Sequence, residues 1–377
     1  MLNDERLKTQ YSRYAAMSRR LRADGIYEEA LDAHQYCLQI ARNLNDEVRI
    51  ASCYFWIGEC LYQLGRKEEA MMILTPNLKQ TSHGSPDDLY NSMTKYIIIA
   101  LDLPSRKSLI EDAIAHARQY LVDIGHLEWQ HKILYLEAEL YQMQGIRERA
   151  LDLAIEGWAT WRDAYPLFVA DAHLFQIAMF QIRLKKIEDA ENTLIEWEND
   201  RHNSFPLYRL AVMNRTRSHL HRLKGNYQQA MNHAQKAVLL TERMQTPESL
   251  ATMNSSKMWA AICLRDFETA RACITAIPLS ILRRKAVLIG DYHLTWARHQ
   301  LGLPVLDLAF HQQFPALPPV DERPTLSDPI KRALSRARMM YQIGMHQAKK
   351  FDEAFDCTWR QDEIKVCLDH ISQLEQF

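Results

Sequence analysis

Gly65-Arg-Lys-Glu-Glu-Ala70 is a short charged turn, and related turns recur along the whole chain. Its clearest copies are Gly25-Ile-Tyr-Glu-Glu-Ala30, Gly145-Ile-Arg-Glu-Arg-Ala150 and Gly225-Asn-Tyr-Gln-Gln-Ala230. Further copies end at Ala190, Ala270 and Ala354, and a weaker one ends at Ala113. The spacings between successive turn alanines are 40, 43, 37, 40, 40, 40 and 84 residues. Such a period indicates a repeat protein in which each repeat is one supersecondary unit.

The segments on both sides of each turn have the apolar spacing of helices. Before Gly65, the residues Tyr54, Ile57 and Leu61 form one apolar stripe. Twelve residues before the turn alanines stand the small residues Ser18, Gly58, Ala138, Ala178 and Ser218. Small side chains let the two helices of a pair approach closely. The pattern predicts an all-α solenoid of nine helix pairs, roughly 11–44, 51–80, 87–124, 127–165, 167–200, 205–243, 247–278, 280–313 and 327–376.

Composition and charge exclude several other classes of protein. Glycine (11) and proline (13) are scarce in 377 residues, which argues against a β-sandwich or barrel. The 46 basic and 47 acidic residues leave no basic excess for binding nucleic acid. No apolar stretch is long enough to span a bilayer, and the polar start lacks a secretory signal. These features predict a cytoplasmic protein that binds neither nucleic acid nor membrane.

No pattern typical of catalysis or metal binding is present. The sequence lacks phosphate-binding glycine loops, H-E-x-x-H and G-x-S-x-G. His219 and His221 are two residues apart on a helix, so they point to opposite sides and cannot readily share a metal ion. The seven cysteines contain no C-x-x-C pair. We therefore predict no catalytic residues, no cofactor and no metal.

The C-terminal part departs from the regular period. Pro304 truncates the second helix of the eighth pair, and residues 314–324 contain four prolines. This predicts three segments: a solenoid over 1–313, a proline-rich linker over 314–326 and a capping helical hairpin over 327–377. Two alternatives remain for the linker. It is a connector lying on the surface, or it folds back into the groove of the solenoid or binds a partner.

The repeats resemble the tetratricopeptide repeat family. Gly58, Gly65 and Ala70 match the family's small residue, turn glycine and alanine, and Tyr27 and Tyr227 match its aromatic position. The period near 40 exceeds the family's 34, and its tryptophan and repeat-ending proline are mostly missing. In this respect the chain resembles long-helix bacterial proteins, namely the sensor region of the maltose-regulon activator and Rap-type peptide-regulated proteins. The resemblance implies a right-handed superhelix.

The family resemblance also implies a binding surface, because its inner helices line a concave groove. The repeat register places these candidate partner-binding residues there: Arg19, Arg22, Phe55, Glu59, Tyr62, Tyr135, Glu139, Phe175, Met179, Arg215, His219, Arg222 and Trp259. The aromatic members would anchor a ligand, and Arg215 and Arg222 would select an acidic group on it. Alternatively, the aromatic residues belong to the core and the basic ridge is a solvated face.

These observations favour a non-catalytic scaffold or adaptor that binds a peptide or protein segment. A second hypothesis is a regulatory sensor, whose superhelix changes conformation on ligand binding and so controls an effector or transcription. An enzyme is a third and weaker alternative. Self-association through the terminal helices is left open.

Overall fold

A computed structural model describes residues 2–79, 84–104, 107–164, 171–199, 207–242, 247–277, 282–310, 313–319 and 322–377. As predicted, the fold is all-α, and no strand occurs among the described residues. Seventeen α-helices follow one another: α1 Leu2–Ala23, α2 Tyr27–Asn43, α3 Glu47–Gln63, α4 Lys67–Lys79, α5 Pro86–Asp102, α6 Lys107–Ile124, α7 Gln130–Met143, α8 Arg147–Ala164, α9 Asp171–Arg183, α10 Ile187–Asn199, α11 Leu207–Leu223, α12 Tyr227–Glu242, α13 Pro247–Cys263, α14 Phe267–Ala276, α15 Leu282–Gln300, α16 Asp328–Phe355 and α17 Trp359–Leu374. A short 3-10 helix, Leu127–Trp129, precedes α7.

The repeated turn ends the first helix of each pair through a left-handed residue. Gly65 has φ +78°, and the amide of Arg66 donates to the carbonyl of Leu61 at 2.9 Å, so the last carbonyls of α3 are satisfied. Lys185 (φ 59°) and Arg265 (φ 63°) hold the same conformation without being glycine. The turn geometry is therefore set by its place in the repeat, since two repeats tolerate the strain of a side chain there.

The small residues and the turn alanines lie at the centre of the helix pairs. Ser18, Ala138, Ala178 and Ser218 are completely buried, as is every turn alanine from Ala30 to Ala270 apart from the weaker copy at Ala113. A Cβ atom added to Gly58 would lie 2.7 Å from the side chain of Leu74 on the neighbouring helix. The predicted close approach of paired helices is confirmed.

The chain divides into two compact units, Met1–Met143 with Asp152–Ala164, and Gln144–Leu151 with Tyr165–Phe377. In the first unit each helix from α1 to α7 packs against the next, and α3, α5 and α7 also pack successively against one another. In the second unit α9, α11, α13 and α15 do the same. The first helices of successive pairs thus form a row in each unit, which we call the first-unit row (α3, α5, α7) and the second-unit row (α9, α11, α13, α15).

The eighth predicted pair differs from the others. Its first helix, α15, is present, but residues 301–310 form turns and irregular backbone instead of a second helix. Gly302 has φ +73° and is followed two residues later by Pro304, a combination that ends α15 and prevents a helix from resuming at once. Helix α15 packs instead against α16, which forms the terminal hairpin with α17. The described residues therefore contain eight pairs and one single helix.

The proline-rich linker lies against the terminal helices of the second unit. Phe314 stacks on the His370 ring of α17 with the ring centroids 3.9 Å apart. Nε of Arg323 donates to the carbonyl of Pro318 at 3.0 Å, and its guanidinium lies over the ring of Phe377. The linker is thus packed on the hairpin that follows it, while its use as a domain boundary stays a prediction.

Candidate functional site

An open cavity of about 320 Å³ lies where α1 and α2 meet α3. It is lined by Arg19, Arg22 and Ala23 of α1, Tyr27 of α2 and Glu59 of α3. Three of these five, Arg19, Arg22 and Glu59, were predicted to line a groove. We call this space the first-unit cavity.

Arg22 gives the first-unit cavity a cationic wall. Its guanidinium carbon lies 3.5 Å from the centroid of the Trp56 ring, which is a cation–π contact. Its Nε atom is buried and finds no hydrogen-bond partner among the described residues. Burial lowers the pKa of Arg22, while nearby Cys60 and Glu59 oppose this shift. The exposed guanidinium of Arg19 adds a second cation at the cavity.

The first-unit row continues from the cavity as a chain of charged and aromatic side chains. Glu59 forms an ion pair with Lys95 of α5 at 2.7 Å, and this lysine also lies 4.8 Å from the ring centroid of Tyr62. The Tyr62 hydroxyl donates to Asp102 at 3.2 Å, and Lys67 pairs with the same carboxylate at 3.1 Å. Because Glu59 is already paired with Lys95, Arg19 and Arg22 leave a positive excess at the cavity.

The remaining first-unit candidates lie at different depths. Tyr135 and Glu139 are half-buried on α7, in the same row as Glu59 and Tyr62. Phe55 is only 8% exposed and belongs to the core between α2, α3 and α4. Phe55 therefore packs in the core of the first unit and offers little surface to a ligand.

In the second unit the predicted aromatic and apolar candidates are mostly core. Met179 (6% exposed) and Trp259 (4%) are buried, and Phe175 is half-buried with its ring 6.3 Å from that of Trp197. Long helices in stacked pairs bury more than one stripe of their surface, so a groove register alone overstates exposure. The core alternative describes these residues better.

Arg222 is buried and holds a carboxylate of its own chain. Its Nη1 atom lies 3.2 Å from Oδ2 and 3.3 Å from Oδ1 of Asp307, and the two side chains are 1% and 6% exposed. The thiol of Cys263 on α13 points at Oδ2 of Asp307 from 3.9 Å. Arg222 was predicted to bind an acidic group of a ligand, and in the structure Asp307 of the same chain is bound there.

An aromatic ring accompanies the internal carboxylate. Phe310 lies with its ring centroid 4.9 Å from the Arg222 guanidinium carbon and meets the His219 ring edge-on at 6.0 Å. Burial lowers the pKa of His219 well below its usual value, and Arg222 and half-buried Arg215 add to this effect. The imidazole is therefore neutral at neutral pH, and the contact with Phe310 is one between uncharged rings.

The residues that bring Asp307 and Phe310 to this position form an internal segment, Leu303–Phe310. It leaves the end of α15, and Val305 and Leu308 pack on the core of α12 to α15. The amide of Ala309 donates to Oδ1 of Asp307 at 3.2 Å, which closes a turn that orients Phe310. Sequence reasoning missed Asp307 and Phe310; the broken period around Pro304 was the available signal.

Two other kinds of feature, a metal-binding cluster and a membrane-spanning helix, are absent from the described residues. No group of three His, Cys, Asp or Glu side chains is placed to hold a metal ion. No described helix is both long enough and apolar enough to cross a bilayer.

Known proteins resemble the chain in one repeat and in the fold. A family model described as "Tetratricopeptide repeat" matches residues 51–75. A Rap protein complexed with competence and sporulation factor is similar over 99% of this chain and 100% of its own, with a TM-score of 0.56 and 13% identity. The APC/C hetero-tetramer Cut9–Hcn1 is similar over 95% of this chain and 55% of its own, with a TM-score of 0.52 and 14% identity.

The comparison with curated proteins finds no match. The matched repeat contains Gly58, Gly65 and Ala70, the residues on which the family resemblance was first based. The solved structures share the stacked helix pairs and, at these identities, show the fold alone. One repeat of this chain therefore matches the tetratricopeptide-repeat model, and the chain is similar in fold to the Rap and Cut9 structures.

Proposed function

We propose that the chain is a non-catalytic scaffold that binds a peptide or protein segment along its rows of first helices. The first-unit cavity is the observation that carries this proposal, because it is open and combines two arginines with an aromatic support. Aromatic and arginine side chains dominate the energy of protein interfaces. The Rap relative was solved with competence and sporulation factor, and Cut9 with Hcn1, which supports such a role for this fold.

The chemistry of the ligand is inferred from two arginines at equivalent repeat positions, one in each unit. Arg22 and Arg222 both stand eight residues before a turn alanine, Ala30 and Ala230, so they occupy equivalent repeat positions. Arg222 binds a carboxylate, and both arginines have a buried Nε without a partner among the described residues. The first-unit cavity is thus suited to an acidic group on a partner segment, with Arg19 as its second cation.

A charge-reversal pair on α1 tests this assignment. Arg19→Glu reverses the charge at the cavity, while Arg20→Glu makes the same change at the next exposed residue, which does not line it. Proteins recovered by the wild-type chain are identified by mass spectrometry, and a synthetic peptide from the best partner is then titrated by calorimetry. We expect Arg19→Glu to lower the affinity for that peptide at least tenfold and Arg20→Glu to leave the affinity unchanged. Equal losses, or none, would contradict the cavity assignment.

The internal segment favours a second function, that of a regulatory sensor. A contact made within the chain at Arg222 is one that a ligand can replace, and such an exchange changes what holds the second-unit row. Small-angle scattering with and without the partner peptide separates the two functions. A scaffold keeps its dimensions on binding, whereas a sensor changes them. Cytoplasmic location and self-association through the terminal helices stay predictions.

A further inference from the structure

We infer that the internal segment Leu303–Phe310 is a built-in pseudo-ligand of the second-unit row, and that its chemistry describes the partner that replaces it. That partner is a segment carrying a carboxylate followed three residues later by an aromatic ring, as Asp307 is followed by Phe310. This inference rests on the proposed function only in treating the rows as ligand-binding faces. It concerns a different site from the first-unit cavity.

The path of the segment resembles that of a bound peptide. It begins at the end of α15, Asp307 reaches Cys263 near the end of α13, and the same carboxylate reaches Arg222 near the end of α11. It therefore crosses three successive first helices in non-helical form. A second helix of a repeat would instead pack beside its own α15.

Side chains attach the segment to the row. Asp307 forms the ion pair with Arg222, Phe310 covers the guanidinium, and Leu306 is 9% exposed. The backbone bonds of its ends are local, from Leu303 to Arg298 at 2.9 Å and from Phe310 to Asp307 at 3.0 Å. A peptide with the same side chains can make the contacts with the row without requiring any repeat helix to unfold.

Release of the segment removes two contacts from Arg222. Asp307 and Phe310 both contact its guanidinium, so their departure opens space beside this group for water or for a carboxylate of the partner, and either lowers the cost of leaving the charge without Asp307. The linked segment competes at an effective concentration of the order of millimolar. The affinity of a partner for the site should therefore be much higher when the internal segment is released than when the segment occupies the site.

The test uses a fluorescent peptide with the sequence of residues 302–310, Gly-Leu-Pro-Val-Leu-Asp-Leu-Ala-Phe, amidated at its C-terminus. Fluorescence anisotropy measures its affinity for the full chain and for the double variant Asp307→Ala/Phe310→Ala. We expect at least tenfold tighter binding by the double variant than by the wild type. Peptides with Asn at the Asp307 position, or with Ala at the Phe310 position, should bind the double variant at least tenfold more weakly than the original peptide.

Two further variants serve as controls. Phe314→Ala removes the nearby ring that stacks on His370 and leaves Asp307 and Phe310 in place, so its peptide binding should equal that of the wild type. Adding Arg222→Met to the double variant should abolish the gain. If the double variant does not fold, Phe310→Ala alone keeps the ion pair and should still bind more tightly than the wild type.

Three results would overturn the inference. One is a folded double variant that binds the peptide no better than the wild type. Another is a wild-type dimer that dissociates with Phe310→Ala, which would assign the face to a second copy. The third is binding that is lost with Arg19→Glu but unchanged with Arg222→Met. That result would place the peptide in the first-unit cavity and leave the proposed function standing.

Discussion

The contact between Gly58 and Leu74 provides a quantitative test of how tightly the helices of a repeat pack. A Cβ atom at position 58 would lie 2.7 Å from both Cγ and Cδ2 of Leu74, well inside van der Waals contact. Leu74 is completely buried, so its side chain cannot swing into solvent. Overpacking of this kind costs about 1–3 kcal/mol, and we expect Gly58→Ala to lower the free energy of unfolding by that amount.

Other repeats suggest how this strain can be relieved. By repeat register, Ala138 is followed sixteen residues later by Ala154, and all of both side chains is buried. The double variant Gly58→Ala/Leu74→Ala copies that pairing. Leu74→Ala alone should cost about 2–5 kcal/mol because it leaves a cavity. The added methyl group fills part of this cavity. The double variant should therefore lose less unfolding free energy than the sum of the two single losses, by at least about 1 kcal/mol.

Urea denaturation followed by helical circular dichroism measures all four proteins of this cycle. Gly65→Ala is the control, since an added Cβ there meets no atom within 4 Å and carries only the backbone strain of φ +78°. Its expected loss is about 1 kcal/mol. Additive losses in the cycle, or a Gly58→Ala variant as stable as the wild type, would show that the two helices do not pack as closely as described.

Two other predictions concern stability. Gly145→Ala should lower the free energy of unfolding by about 1 kcal/mol more than Gly65→Ala does. The two turns have similar positive φ, but a Cβ atom at position 145 would lie 2.8 Å from the Trp359 ring. The urea midpoints of the two variants measure this difference. Burial raises the pKa of Asp291 to about 7, and this outweighs the hydrogen bond it accepts from Tyr341 at 2.7 Å. The folded protein therefore keeps the Asp291 proton over a pH range in which the unfolded chain has already lost it. As a result, the free energy of unfolding should fall by up to about 4 kcal/mol as the pH rises from about 4 to about 7. Asp291→Asn should reduce that fall in urea titrations at pH 5 and pH 8, and an unchanged pH dependence would refute the assignment.

The repeat architecture could be predicted because one local rule recurs. Gly65 ends a helix in the left-handed conformation, Ala70 permits close packing, and the interval of about 40 residues repeats both. Ser85 shows the same locality, since its side chain caps α5 by accepting from the amide of Asp88 at 3.2 Å. Features set by neighbouring residues are visible in the sequence.

The depth of the candidate residues was much harder to predict. Arg215, half-buried, and Arg222, fully buried, lie on one helix and share one predicted ridge. Arg222 forms its ion pair with Asp307, which lies 85 residues later in the chain. A periodic pattern carries no information about the path of a segment that leaves the period, so the internal segment could be suspected from Pro304 but not placed.

The two arginines at equivalent repeat positions, Arg22 and Arg222, have different surroundings. Arg22 lies on Trp56 beside an open cavity, whereas Arg222 lies near Trp259 and Phe310 and is closed by Asp307. A buried guanidinium requires an anion, since the cost of removing the charge from water is otherwise uncompensated. In the second unit the chain supplies this anion itself. At the first-unit cavity Glu59 forms an ion pair with Lys95. Under the proposed function, we expect a carboxylate from a partner to bind the arginines there.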